Sequence, residues 1–182
     1  ASVPFDQMQG VIWLNGSLVD WQDAKIHILS HGLHYGGSVF EGERAYGGKI
    51  FKSREHSERF RRSAEYLDFE IPYTVDELIE AKQLVVEKNG FANCYVRPVA
   101  WRGSEMMAVA AQMAKIHTAI AVWDWPSMFD VATKMKGIKL DIAEYRRPDP
   151  ATAPSHSKAA GLYMICTISK HRAERKGYED AI

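Results

Sequence analysis

"SVFEGERAYGGKIF", residues 38–51, reads as a strand, a tight turn and a short return strand. Side chains alternate along a strand, so Phe40, Gly42, Arg44 and Tyr46 fall on one face. That face mixes aromatic, glycine and cation, which is unusual for a plain core face. Gly42 weakens the strand, and a glycine in such a place often marks close approach by a ligand or another backbone. Gly47-Gly48 supplies the turn.

Working outward, "VIWLNGSLVDW" (residues 11–21) places two apolar runs around Asn15-Gly16, the pair best suited to a two-residue turn with positive φ. Downstream, "SREHSERFRRSAEYL" sets Phe60, Ala64 and Leu67 at helical spacing. In "TVDELIEAKQLVVEKNG", Thr74 and Glu77 have capping-box spacing and Gly90 is a natural stop. The buried face there is expected to be Leu78, Ala81, Leu84 and Val85. "CYVRPVAW" follows as a strand with Tyr95, Arg97, Val99 and Trp101 on one face, and "HTAIAVWDW" as a more apolar strand. "PSMFDVATKMKG" interrupts the pattern as a linker. Then come a strand "IKLDIAEY", a turn-rich stretch, and a helix expected over "KAAGLYMICTISKHRAERK". The organisation is α+β. We expect a small first domain over residues 1–122, a linker over 123–134, and the start of a larger domain over 135–182. The final "YEDAI" reads as the start of a strand with no partner after it, which implies an incomplete second domain.

The chain has 182 residues, 46% hydrophobic and 25% charged, with 23 basic and 23 acidic side chains. A net charge of zero argues against a nucleic-acid or membrane-surface partner. No apolar run approaches the roughly 20 residues of a membrane span. Cys94 and Cys166 lie far apart in apolar-rich segments and read as buried free thiols, in keeping with a reducing, cytoplasmic setting.

His27, His31 and His34 are spaced four and three apart, but no cysteine or carboxylate stands beside them at ligand spacing, so structural roles are expected and no metal site. "AYGGKIF" lacks the spacing of a phosphate-binding loop. Arg44 and Arg97 each sit on a strand among aromatics. Either their stems lie along the sheet, or they read a carboxylate, for which the guanidinium fork is shaped. Arg59, beside Phe60 on an arginine-rich helix, is either solvated or an anchor for an anion such as phosphate. Lys158, in "APSHSKAAGLYM" (residues 153–164), is set among small side chains. An ordinary exposed lysine is one reading. The other is a desolvated amine that acts as a nucleophile toward a carbonyl, with room beside it for a flat ring and a tyrosine to meet that ring's oxygen.

Four blocks together, "HGLHYGGSVFEGERAY", "REHSERF", "YVRPVAW" and "SKAAGLY", in this order and at these separations, resemble the branched-chain amino acid aminotransferases. These are class IV aminotransferases with the two-domain fold-type IV pyridoxal phosphate architecture. The likeness extends from about Val11 to Ile182.

The resemblance implies pyridoxal 5′-phosphate as cofactor. It also implies amino transfer between leucine, isoleucine or valine and α-ketoglutarate, with small amino and keto acids as partners, in a homodimer or a higher homo-oligomer. Lys158 matches the lysine that joins the cofactor and moves the substrate α-proton. Arg59 matches the phosphate anchor, and Tyr163 the partner of the ring oxygen. Phe40, Gly42, Tyr95, Arg97 and Trp125 match the substrate pocket, with Arg97 meeting the distal carboxylate of glutamate. Tyr35 and Val109 match residues that complete the neighbouring subunit's pocket. The family's glutamate for the pyridine nitrogen falls beyond residue 182. Aminodeoxychorismate lyase and D-amino acid aminotransferase, of the same family, are the enzymatic alternatives, and an inactive shortened chain is the other.

Overall fold

The computed structural model describes residues 3–125 and 131–182. In chain order its elements are β1 (Val11–Leu14), β2 (Ser17–Asp20), α1 (His31–Tyr35), β3 (Ser38–Phe40), β4 (Glu43–Tyr46), β5 (Lys49–Ile50), α2 (Ser53–Glu65) and α3 (Val75–Lys88). Then follow β6 (Cys94–Arg102), β7 (Ile116–Trp123), α4 (Val131–Lys136), β8 (Leu140–Asp141), α5 (Met164–Arg175) and β9 (Asp180–Ala181).

The first seven strands form one antiparallel sheet, ordered β2-β1-β7-β6-β4-β5, with β3 also on β6. β3 and β4 are one strand in all but a short break. Ser38 opposes Trp101, Phe40 opposes Val99, Glu43 opposes Val96 and Ala45 opposes Cys94, without a slip. Period-two alternation therefore runs through the break. Val39, Ala45, Cys94, Val96 and Ala100 face α2 and α3 and are fully buried. Phe40, Gly42, Arg44, Tyr95 and Arg97 face the other way, as the sequence pattern predicts.

The turns follow their chemistry. Asn15 and Gly16 have φ of 50° and 97°, and Gly47 and Gly48 have 55° and 77°. Positive φ at both central residues lets the hairpin twist match its strands. α3 opens with the expected capping box: the Thr74 side chain accepts from Glu77 N, and the Glu77 carboxylate accepts from Thr74 N.

Several expectations are corrected. Leu84 is exposed, and Lys82 takes the inward position instead. The arc Leu78, Ala81, Lys82, Val85 keeps helical spacing, but a lysine is not read as a core residue. Cys94 is buried, whereas Cys166 is exposed. The last helix does not begin at Lys158: Ala160–Tyr163 form a 3₁₀ turn and α5 starts at Met164. The strand expected over "IKLDIAEY" shortens to two residues, which pair parallel with β9. The linker over 123–134 stays an expectation: α4 (Val131–Lys136) begins inside it and runs past its end, and residues 126–130 lie outside the described residues.

Lys82 is 1% exposed and its Nζ meets Glu43 Oε1 and Oε2 at 3.0 and 2.9 Å, Ser57 Oγ at 2.8 Å and the Ser53 carbonyl at 3.0 Å. The pair ties β4 to α2 and α3. Burial pushes the Glu43 carboxyl up and the Lys82 ammonium down, and their mutual attraction opposes both shifts. Removing one partner leaves the other charge buried alone. Lys82→Ala should cost about 3–5 kcal/mol, whereas Lys82→Met with Glu43→Leu should be no less stable than wild type. Urea unfolding midpoints of the three proteins check this.

Candidate active site

Lys158 precedes Ala159, whose backbone is extended, and is held from two sides. Its carbonyl accepts from Phe40 N at 3.2 Å, and Ala159 bridges Val39. On the other side its N–H donates to Ser63 Oγ at 3.0 Å, while Ser157 Oγ donates to the Ser63 carbonyl at 2.7 Å. β3 and the end of α2 thus set the lysine in place. Ser155, Ser157 and Ala159 are buried, and Lys158 itself is half-buried. Small side chains are what let this segment pass so close to the sheet and helix.

The Lys158 Nζ and the Tyr163 hydroxyl are 2.6 Å apart. The 3₁₀ turn after Lys158 brings the tyrosine back beside the amine. Both groups lie against Phe40: the Tyr163 ring meets it edge-on at 4.7 Å, and the Nζ lies 4.8 Å from its centre. They border an open cavity of about 280 Å³ whose other walls include Arg59, Arg147, His156 and Cys166.

Arg59 reaches the cavity from α2. Its Nε and Nη2 donate to Glu41 Oε1 and Oε2 at 2.6 and 2.7 Å. His56, one turn earlier, meets Glu41 Oε2 at 2.8 Å. Burial by itself would raise the Glu41 carboxyl, but the hydrogen bonds and charges of Arg59 and His56 outweigh it and hold the group below the usual carboxylate range. The same bonds raise Arg59. Arg59 is therefore neither freely solvated nor fully engaged.

On the far side of Phe40 the strand face continues into a polar-aromatic group. The Arg97 guanidinium stacks 4.5 Å over the Phe40 ring and donates from Nη2 to the Tyr95 hydroxyl at 2.9 Å. Its buried Nε has no acceptor among the described residues. Tyr95 packs on Trp123 and Trp125 at 5.0 and 5.2 Å, and Arg44 donates to the Trp125 carbonyl at 2.6 Å. Gly42 lies beneath the Tyr95 hydroxyl. A Cβ at position 42 would stand 2.1 Å from that oxygen, so the close approach is by a side chain of the neighbouring strand.

Phe40, Gly42, Tyr95, Arg97 and Trp125 are thus brought into one group, which adjoins Lys158, Tyr163 and Arg59 through Phe40. Tyr35 and Val109 are not. Tyr35 stacks on His31 at 4.7 Å, Val109 is 86% exposed, and both line a separate cavity of about 350 Å³ beside Arg102. The three spaced histidines have separate partners: His31 meets the Ala108 carbonyl, His34 the Ile28 carbonyl, and His27 accepts from Leu29 N.

Sequence reasoning missed Glu41, His56, Arg147 and Ser157. Alternation puts Glu41 on the helix-facing side of its strand, and a carboxylate buried there demands a cation. His56 and Arg59, three apart on a helix, are the pair that can meet it. Arg147 sits in a turn-rich stretch with no periodicity to place it.

These groups define a lysine-centred site with guanidinium donors on one wall and an aromatic, arginine-bearing strand face beside it. The description "Amino-transferase class IV" matches residues 38–182, and the chain belongs to the class IV aminotransferase family. Within it, the chain is 42% identical over 181 residues to the probable branched-chain-amino-acid aminotransferase of Rickettsia conorii, covering 99% of this chain and 61% of that protein. It is 36% identical over 177 residues to the branched-chain-amino-acid aminotransferase of Pseudomonas aeruginosa, covering 95% and 58%. The Escherichia coli branched-chain aminotransferase structure superposes with a TM-score of 0.88 at 34% identity, covering 96% of this chain and 59% of that one. The T.th. branched-chain amino acid aminotransferase with pyridoxamine 5′-phosphate gives 0.91 at 37%, with 96% and 59% covered. The chain therefore spans about three fifths of the length of these relatives.

Gly42→Ala should push the Tyr95 ring away from Arg97 and the two tryptophans, which shifts the intrinsic tryptophan emission. In a Tyr95→Phe background the 2.1 Å clash disappears and the nearest contact becomes the ring carbon at 3.1 Å. Gly42→Ala should then perturb the spectrum much less. Emission spectra of the four proteins test the contact.

Proposed function

We propose that this chain carries the cofactor lysine and part of the substrate pocket of a pyridoxal 5′-phosphate-dependent aminotransferase. The reaction moves an amino group between branched-chain L-amino acids and α-ketoglutarate. The observation that carries the reading is the 2.6 Å contact of Lys158 Nζ with Tyr163 in a cavity that Arg59 also lines. The donor set fits the cofactor: guanidinium N–H groups suit a phosphate, the amine suits an aldehyde, and the phenol suits a ring oxygen. Bound there, pyridoxal 5′-phosphate supplies a carbonyl for amine exchange and an electron sink for the substrate α-carbon.

The chain's own groups would divide the work. Lys158 holds the cofactor covalently and then takes and returns the proton at the substrate α-carbon. Tyr163, in contact with that amine, orients it. Arg59 anchors the phosphate. Phe40, Tyr95 and Trp125 offer an apolar surface to a branched side chain, and Gly42 leaves the Tyr95 hydroxyl room to meet Arg97. Arg97, with its buried Nε unpaired, meets the distal carboxylate of glutamate.

The division into residues 1–122, a linker over 123–134 and a second unit from 135 belongs to the same proposal. So does a homodimer in which Tyr35 and Val109 complete the partner's pocket. Their exposure, with that of Leu33 and Met113 nearby in sequence, supports a surface that a second copy covers.

Borohydride reduction in the presence of pyridoxal 5′-phosphate should label Lys158 in the purified protein, as peptide mass mapping reads it. Lys158→Ala should leave no stable label and abolish transamination; a label on another lysine would assign the role elsewhere. The products separate aminotransferase from lyase. Keto acids formed in balance with glutamate support the first, and pyruvate from a chorismate-derived substrate the second.

Arg97→Ala should act unequally on the two half-reactions. A buried carboxylate left without its partner costs about 2–5 kcal/mol, so the glutamate half-reaction should slow by about one and a half to three and a half orders of magnitude. The leucine half-reaction forms no such pair and should fall far less. Single-turnover absorbance changes with each amino acid give the ratio.

A further inference from the structure

Glu41 has a place that the proposed chemistry does not use. Its side chain is 0% exposed, on the helix-facing side of the strand, while the Arg59 it pairs with is 47% exposed at the cavity wall. A carboxylate held ionised only accepts, so the His56 Nδ1 at 2.8 Å must carry the proton it donates. Glu41 grips Arg59 along the Nε–Nη2 edge, at 2.6 and 2.7 Å. A guanidinium has five N–H groups in one plane. Two are taken by Glu41, and Nη2 also lies 3.4 Å from His56 Nδ1. That nitrogen, carrying its proton toward Glu41, has no lone pair to offer, so the Nη1–Nη2 edge keeps its hydrogens for a second planar fork.

We propose that Glu41 is a positioning residue for the anion side of this cavity, clamping one edge of Arg59 so that the adjoining Nη1–Nη2 edge is presented as a fixed fork to a phosphate group. The inference rests on the reading of the cavity as the cofactor site. A long, half-exposed arginine without the clamp would sample many rotamers, and ordering it would weigh against binding. Glu41 also brings negative charge near the anion, which acts the other way. The clamp outweighs it, because the carboxylate is already neutralised by Arg59 and a second guanidinium, Arg147, lines the cavity. The two effects have opposite signs, so one substitution separates them.

The test compares Kd for pyridoxal 5′-phosphate with Kd for pyridoxal, which lacks the phosphate, by tryptophan fluorescence quenching. The preference for the phosphorylated form is the readout, and it needs no turnover. Glu41→Gln keeps the shape and loses the charged fork; it should cut the preference roughly tenfold and leave pyridoxal binding unchanged. Arg59→Lys keeps the charge and loses the planar edge, so it should lose as much preference as Arg59→Ala. Glu41→Gln added to Arg59→Ala should change nothing more. An unchanged or increased preference in Glu41→Gln overturns the inference, as does a preference retained in Arg59→Lys, which stands even if the Glu41 variant does not fold. A wild type with no preference for the phosphorylated form overturns the cofactor reading itself, and is thereby told apart from failure of the clamp alone.

Discussion

The unbroken register of residues 38–45 against β6 is the constraint on which the rest depends. Ser38 opposes Trp101 at one end and Ala45 opposes Cys94 at the other. Each residue in between has its face assigned by that pairing. A slip of one residue would send Phe40 into the helices and Val39 to the cavity, and would exchange Glu41 for Gly42. The core, the aromatic-arginine face and the seat of Lys158 all follow from one alignment, because Lys158 and Ala159 attach to Phe40 and Val39 by their backbones.

The buried face of that strand carries two acids, and their surroundings make them different. Glu43 is enclosed with Lys82 in a pair that no described cavity reaches, tying the sheet to two helices. Glu41 is buried too, but its partner Arg59 extends to the cavity wall. One ion pair joins elements, and the other joins the core to a cavity wall. Neighbouring positions two apart on a strand can serve such different ends because each faces a different residue of the overlying helices.

Much of this was legible in the residues. The two hairpin turns, the capping box of α3 and the alternation of β6 are written in local chemistry and came out as expected. The corrections share a cause. The burial of Lys82 is not legible in the sequence because a lysine alone carries no sign that Glu43, Ser53 and Ser57 will surround it. Cys166 sits in an apolar-rich helix, yet its exposure depends on what packs around that helix. α5 starts later than its composition implies, because the chain at Lys158 is drawn into extended pairing with β3 before it can turn.

The sequence by itself determined the alternating faces of the strands, the turn positions and, through four ordered blocks, the family. Those are properties of nearest neighbours and spacing, which one dimension holds. Only the tertiary structure decided that Lys158 meets Tyr163 beside Phe40, that Gly42 makes room for the Tyr95 hydroxyl, and that Arg59 is gripped by Glu41. Such contacts can join residues more than a hundred positions apart, as Lys158 and Phe40 are. Their strength lies in distances and burial, and those exist only once the sheet has brought its strands together.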